Sequence, residues 1–140
     1  MRFSQDGSLY VVVLKEGEEL FDALNQFAKQ NSIGSAWFEA FGAALEVELG
    51  YYRLDEQQYI WRKFSGPLEI TNLHGNIVQK GGAWAFHAHG SFADDSYQLI
   101  GGHIKRLVVA GTCEILLTKL DIKLTRKADP QVVLEILQPE

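Results

Sequence analysis

Phe86-His87-Ala88-His89-Gly90-Ser91-Phe92, followed after a short break by Ile100-Gly101-Gly102-His103-Ile104, carries both the strand pattern and the chemistry of this chain. Gly81-Gly82 precede the first run and Asp94-Asp95 follow it, and turn-forming residues on both sides of a short apolar-polar alternation predict a β-strand. Strand side chains alternate between faces, so His87 and His89 point the same way, with Cα atoms about 6.5–7 Å apart at a rise of about 3.3 Å per residue. That separation suits two imidazoles converging on one cation, each about 2.0–2.1 Å from a zinc ion. The Gly101-Gly102 pair is expected to turn the chain and bring His103 to the same place. Three histidines with an open fourth position form the ligand set of a catalytic rather than a structural zinc site. A His-x-His pair on a strand also serves simply as a polar face, and spacing by itself leaves both readings open.

Strand patterns extend outward from this stretch. Leu107-Val108-Val109-Ala110-Gly111-Thr112-Cys113-Glu114-Ile115-Leu116-Leu117 is apolar at odd and even positions, which predicts a central strand covered on both faces. Leu9 to Leu14 reads as a buried strand, Trp37 to Phe41 as another, with a bulge expected at Gly42-Ala43-Ala44. Leu45 to Tyr52 alternates and has Tyr59 to Phe64 as its candidate hairpin partner. After Gly66-Pro67, Leu68 to Val78 continues in the same vein, and Ile122 to Thr125 and Val132 to Leu137 close the chain as short strands. The one clear helix opens at Glu16-Gly17-Glu18-Glu19. Leu20, Phe21, Leu24, Phe27 and Ala28 recur at helical spacing, acidic residues sit at the positive end of the dipole, and Asn31-Ser32-Ile33-Gly34 ends it. Long runs of strand with a single strong helix indicate an α+β or mostly antiparallel β fold, not alternating βαβ units.

At 140 residues the chain is expected to form one domain, residues 1–140, large enough to bury about two-thirds of its unfolded surface. Hydrophobic residues at 46% and charged ones at 22% exclude a disordered or fibrous chain. A net charge of −5 argues against a broad basic face for nucleic acid. The lone Cys113 has no internal partner, the N-terminus lacks a signal-peptide core, and no apolar run reaches the ~18 residues of a membrane span. A cytoplasmic protein without membrane contact is therefore expected.

Glu114 is the candidate acid/base. Within a strand apolar on both faces its carboxylate would need a partner, a hydrogen bond or a proton, and it could orient a histidine ligand or work beside a metal. It could equally mark the rim of the sheet or a subunit contact. Cys113 next to it reads as a small core hydrophobe. His74 is assigned to a strand or turn, Asp94-Asp95 to a solvated turn, and Lys119, Lys123, Arg126 and Lys127 to ordinary surface.

Several segments together resemble the plants-and-prokaryotes-conserved (PPC) domain family: Gly17-Glu18-Glu19-Leu20, Phe41-Gly42-Ala43-Ala44, Leu68-Glu69-Ile70, Leu73-His74-Gly75-Asn76-Ile77, His87-Ala88-His89, Gly101-Gly102-His103 and Gly111-Thr112-Cys113-Glu114. The resemblance implies an antiparallel sheet flanked by helices, a fold like that of acetolactate decarboxylase, a homotrimer, and a metal, generally zinc, on His87, His89 and His103. Plant members carry an AT-hook with an Arg-Gly-Arg-Pro core ahead of the domain, and this sequence contains none, which disfavours direct DNA binding. Two readings follow. One is a trimeric zinc protein with a small-molecule ligand and, if an enzyme, a hydrolase or lyase of small carbonyl compounds; the other is a regulatory module that recruits partners or DNA without catalysis.

Overall fold

A computed structural model describes residues 1–139, and most of them lie in strands. The order is β1 (Arg2–Asp6), β2 (Leu9–Lys15), α1 (Leu20–Gln30), β3 (Ser35–Arg53), β4 (Gln58–Lys80), β5 (Ala83–Ala93), β6 (Leu99–Lys119), β7 (Leu124–Asp129) and β8 (Leu134–Pro139). All strand pairings among the described residues are antiparallel. The main sheet runs β1-β2-β6-β3-β4-β5, and β5 pairs in addition with the start of β6, so β3, β4, β5 and β6 close on one another in a ring. The helices expected on the flanks reduce to a single one among the described residues, α1.

The helix follows its sequence pattern closely. Glu19 caps it by accepting a 2.8 Å hydrogen bond from the backbone N–H of Asp22, and Asn31 ends it with a bond to the carbonyl of Phe27. Leu20, Ala23, Leu24, Phe27 and Ala28 are buried. Phe27 meets Tyr10 of β2 edge-on at 5.3 Å, and Phe21 lies 5.5 Å from Phe86 of β5, which fastens the helix across one face of the sheet. The core is the layer between them, with Phe38, Phe92, Leu107, Cys113 and Ile115 contributed by the strands.

Two expectations about the strands change in the structure. Tyr59–Phe64 and Leu68–Val78 are parts of one strand, β4, whose register against β3 shifts at Ala40/Gly42 and Ala44/Glu46; Gly66-Pro67 falls at the second shift, and the pairing resumes on either side of it. The bulge expected at Gly42 is present, and a Cβ there would lie 2.2 Å from the carbonyl oxygen of Thr112. Most consequentially, β6 is central but not covered on both faces. Val109, Cys113, Ile115 and Leu117 are buried, whereas Glu114 and Leu116 are exposed beside Val11 of β2 and Phe41 of β3. With one helix for cover, only one side of the sheet can be lined by core. The first residues, not assigned to a strand from sequence, form β1 by pairing with β2.

Candidate metal centre

Strand pairing assembles the histidines. His87 and His89 sit two residues apart on β5, and His103 on β6 is the direct cross-strand partner of His89. Residues opposite one another in an antiparallel pair share a face, so all three imidazoles project from the same side of the sheet. Gly101 and Gly102 do not turn the chain, as the sequence reading had it; they lie within β6. Their role is close approach. A Cβ on Gly101 would meet the carbonyl oxygen of Gly90 at 2.8 Å, and one on Gly102 the carbonyl oxygen of Gly50 at 2.8 Å. A larger residue at Gly101 would push β6, which carries His103, away from β5, and one at Gly102 would push it away from β3.

One ring nitrogen from each of His87, His89 and His103 falls within 4.8 Å of the others. The Nε2 atoms of His87 and His89 are 3.2 Å apart. Two nitrogens bound to one tetrahedral zinc at about 2.0–2.1 Å each are separated by about 3.3–3.4 Å, so this spacing matches a shared ion closely. His103 stands 5.1 Å from His87 and 5.3 Å from His89 between ring centroids, and its buried Nδ1 has no hydrogen-bond partner. A buried imidazole nitrogen without a partner is costly unless its lone pair or proton is used, and the donor set of three imidazoles suits zinc and its borderline neighbours.

Electrostatics keep these rings neutral. Burial, helped by the Arg126 guanidinium, His89 and His74, lowers the pKa of His87 to about 4, and burial with His87, His89 and Arg126 lowers His103 to about 4. His89 is lowered as well, by burial and by His74. Neutral imidazole is the form that ligates a metal.

The surroundings include residues that the sequence reading passed over. His74 faces His89 across the β4–β5 pair, so it is a strand residue as expected, yet it stands beside the cluster. Tyr59 stacks on Trp61 at 4.6 Å and lies 5.1 Å from His103, while Lys105 Nζ sits 4.9 Å from the Trp61 ring centroid. Burial raises the Tyr59 pKa. Arg126, read as ordinary surface, is half-buried, and its Nη2 donates to Asn76 Oδ1 at 2.6 Å. A lone arginine in a basic stretch carries no sequence signal for such a position; its neighbours come from strands about 50 residues away in the chain.

Glu114 is not brought to the histidines. It pairs with Val13 and Phe41, eleven positions along β6 from His103, and lines a different groove with Val11, Glu39, Thr71 and Leu116. Its carboxylate is exposed because it falls on the uncovered face of β6, and eleven positions of strand separate it from His103. Cys113 faces the core, where burial pushes its thiol up to about 12.

Residues 1–121 match the family model described as the Plants and Prokaryotes Conserved (PCC) domain. Among solved structures, a candidate DNA-binding protein from Bacteroides thetaiotaomicron is 26% identical, with a TM-score of 0.92 over 98% of this chain and 96% of that one. A candidate DNA-binding protein from Ralstonia eutropha is 31% identical, with a TM-score of 0.90 over 97% of this chain and 94% of its own. A metal-containing protein from Archaeoglobus fulgidus is 26% identical at a TM-score of 0.87, with 99% of each chain covered. Acetolactate decarboxylase from Bacillus subtilis shares the fold alone: 13% identity and a TM-score of 0.57 over 79% of this chain and 51% of the enzyme. No curated protein matches the chain.

Proposed function

The chain belongs to the family of the Plants and Prokaryotes Conserved domain, and on that footing we propose that it is a homotrimeric metal-binding protein whose His87, His89 and His103 hold a zinc ion. The observation that carries this reading is the 3.2 Å separation of two imidazole nitrogens with a third, unpartnered imidazole across the strand pair. The metal-containing relative from Archaeoglobus fulgidus supports it independently. Zinc in a three-histidine site supplies Lewis acidity, which would suit a small carbonyl compound. The chain's own part is to keep the three imidazoles neutral, to hold them rigidly on paired strands, and to wall the site with Tyr59 and Trp61.

Support for assembly comes from the uncovered face of the sheet. Leu9, Val11, Trp37, Phe41 and Leu116 are each more than 40% exposed on it, in adjacent positions of β2, β6 and β3. Contiguous apolar surface of that kind normally meets a partner, and one repeated patch is closed most simply by a ring of copies. His89 projects from the same face, so the metal site would lie beside the subunit contact.

Elemental analysis of protein purified without a histidine tag tests the metal. About one zinc per chain is expected, and none in the triple variant His87→Ala, His89→Ala, His103→Ala. Unchanged metal in the variant would place the site elsewhere, and no uptake by the parent protein would remove it.

A DNA-associated role is the second reading, favoured by the relatives from Bacteroides and Ralstonia. The net charge of −5 works against it, because phosphate contacts need clustered cations.

A further inference from the structure

The histidine cluster borders a cavity of about 280 Å³ whose walls include Tyr59, Trp61, His87, His103, Arg126 and Leu134. Two of these, Arg126 and Leu134, come from the β7–β8 hairpin, which lies beyond the residues that the family model matches. The hairpin is fastened over the sheet at several points: Tyr52 Oη donates to the carbonyl of Val132 at 2.5 Å, Gln57 Nε2 to that of Gln131 at 3.0 Å, and Lys80 pairs with Glu135. It forms a fixed wall, and Arg126 is held in it.

Arg126 spends two N–H groups on neutral acceptors. Nη2 donates to Asn76 Oδ1 at 2.6 Å and Nη1 to the carbonyl of Glu135 at 3.0 Å, while Nε is buried without a partner. A guanidinium has five such donors. Among the described residues no carboxylate lies within ion-pair distance of it; Glu135 also lines the cavity and its charge favours the guanidinium, but that carboxylate is paired with Lys80. Two cations, Arg126 and Lys80, thus share one carboxylate at this cavity, and a divalent ion on the imidazoles would leave a larger net positive charge. That net positive charge favours an anionic ligand in the cavity.

We infer that Arg126 recognises the ligand of this site, and that the ligand is a small organic carboxylate whose apolar part lies against Tyr59, Trp61 and Leu134. The inference rests on the metal reading above for the identity of the neighbouring group. The planar fork of arginine matches a carboxylate. Aromatic and aliphatic walls favour an organic body over inorganic phosphate, and the volume lies just under the ~300–1,000 Å³ of pockets for drug-sized ligands. Because Arg126 stands outside the matched family region, it would set the specificity of this chain.

Pyruvate is a suitable probe, titrated calorimetrically into the zinc-loaded full-length protein, with tryptophan fluorescence as a second readout because Trp61 lines the cavity. One pyruvate per chain is expected. Arg126→Met should weaken binding at least tenfold with zinc content unchanged, Arg126→Lys should restore part of it, and the neutral ester methyl pyruvate should not bind. Leu134→Glu, which sets a carboxylate in the wall, should also weaken binding and keeps the test open should Arg126→Met unfold. Equal binding by the parent and both variants, or by the ester, would overturn the inference and leave the metal site standing. Tighter binding of inorganic phosphate than of pyruvate would overturn the carboxylate assignment. Should the parent protein take up no zinc, the metal reading fails by itself, and the same titration of metal-free protein decides the role of Arg126: dependence on it upholds recognition, and no binding ends it.

Discussion

His89 and His103 are direct partners in the antiparallel ladder between β5 and β6, and that single pairing turns a His-x-His strand into a three-imidazole cluster. The bare glycines next to His103 keep β6 close to both neighbours, Gly101 to β5 and Gly102 to β3. Gly102→Ala would set a methyl 2.8 Å from the Gly50 carbonyl oxygen. Overpacking of this kind costs typically about 1–3 kcal/mol. Chemical denaturation should register that loss, and zinc affinity should fall with it because His103 is displaced. Unaltered zinc affinity would mean that the cluster tolerates a shift of β6.

The half-buried His87 and His103 give the metal-free protein a defined pH response. His87 and His103 have folded-state pKa values of about 4, below the usual value of about 6.5. As pH falls, the unfolded chain takes up protons first, so their contribution to stability is complete above about 6.5 and is lost progressively between 6.5 and 4. Thermal melts of metal-free protein should show Tm declining through that window, with a shallower decline in the triple alanine variant. Imidazole NMR signals titrating near 6.5 in the folded protein would contradict the burial argument.

Cys113 should be inert. It is fully buried and its thiol is pushed up to about 12, so little thiolate exists at neutral pH. Iodoacetamide at pH 8 should label it only after denaturant is added; rapid labelling of native protein would show that β6 opens readily.

Assembly can be tested on the uncovered face. Sedimentation equilibrium at micromolar concentration should give about three times the 15.7 kDa chain mass. Phe41→Glu and Leu116→Glu change side chains that are 59% and 46% exposed, so each should dissociate the assembly with little loss of chain stability. A stable monomer of the parent protein would sink the trimer.

Duplex DNA should bind weakly, and more weakly as salt rises, given the net charge of −5. Electrophoretic shift or anisotropy at physiological salt is sufficient, and nanomolar sequence-selective binding would promote the regulatory reading.

Sequence alone determined what local pattern can carry. Period-two alternation marked the strands, period-3.6 spacing with Glu18-Glu19 ahead of Leu20 marked the helix, and the position of His87 and His89 on one face followed from strand geometry. Tertiary structure decided everything that depends on which strands become neighbours. His103 reaches His89 by cross-strand register, not by a glycine turn. Glu114 is exposed because one helix covers one face, a matter of layer count that residue pattern cannot express when both sets of side chains are apolar. Arg126 reaches the site because the last hairpin folds back over β4, placing a surface-like residue against Asn76. Local pattern reports the conformational preferences of adjacent residues; long-range pairing is a choice among many registers of similar local energy, settled only when the whole core packs.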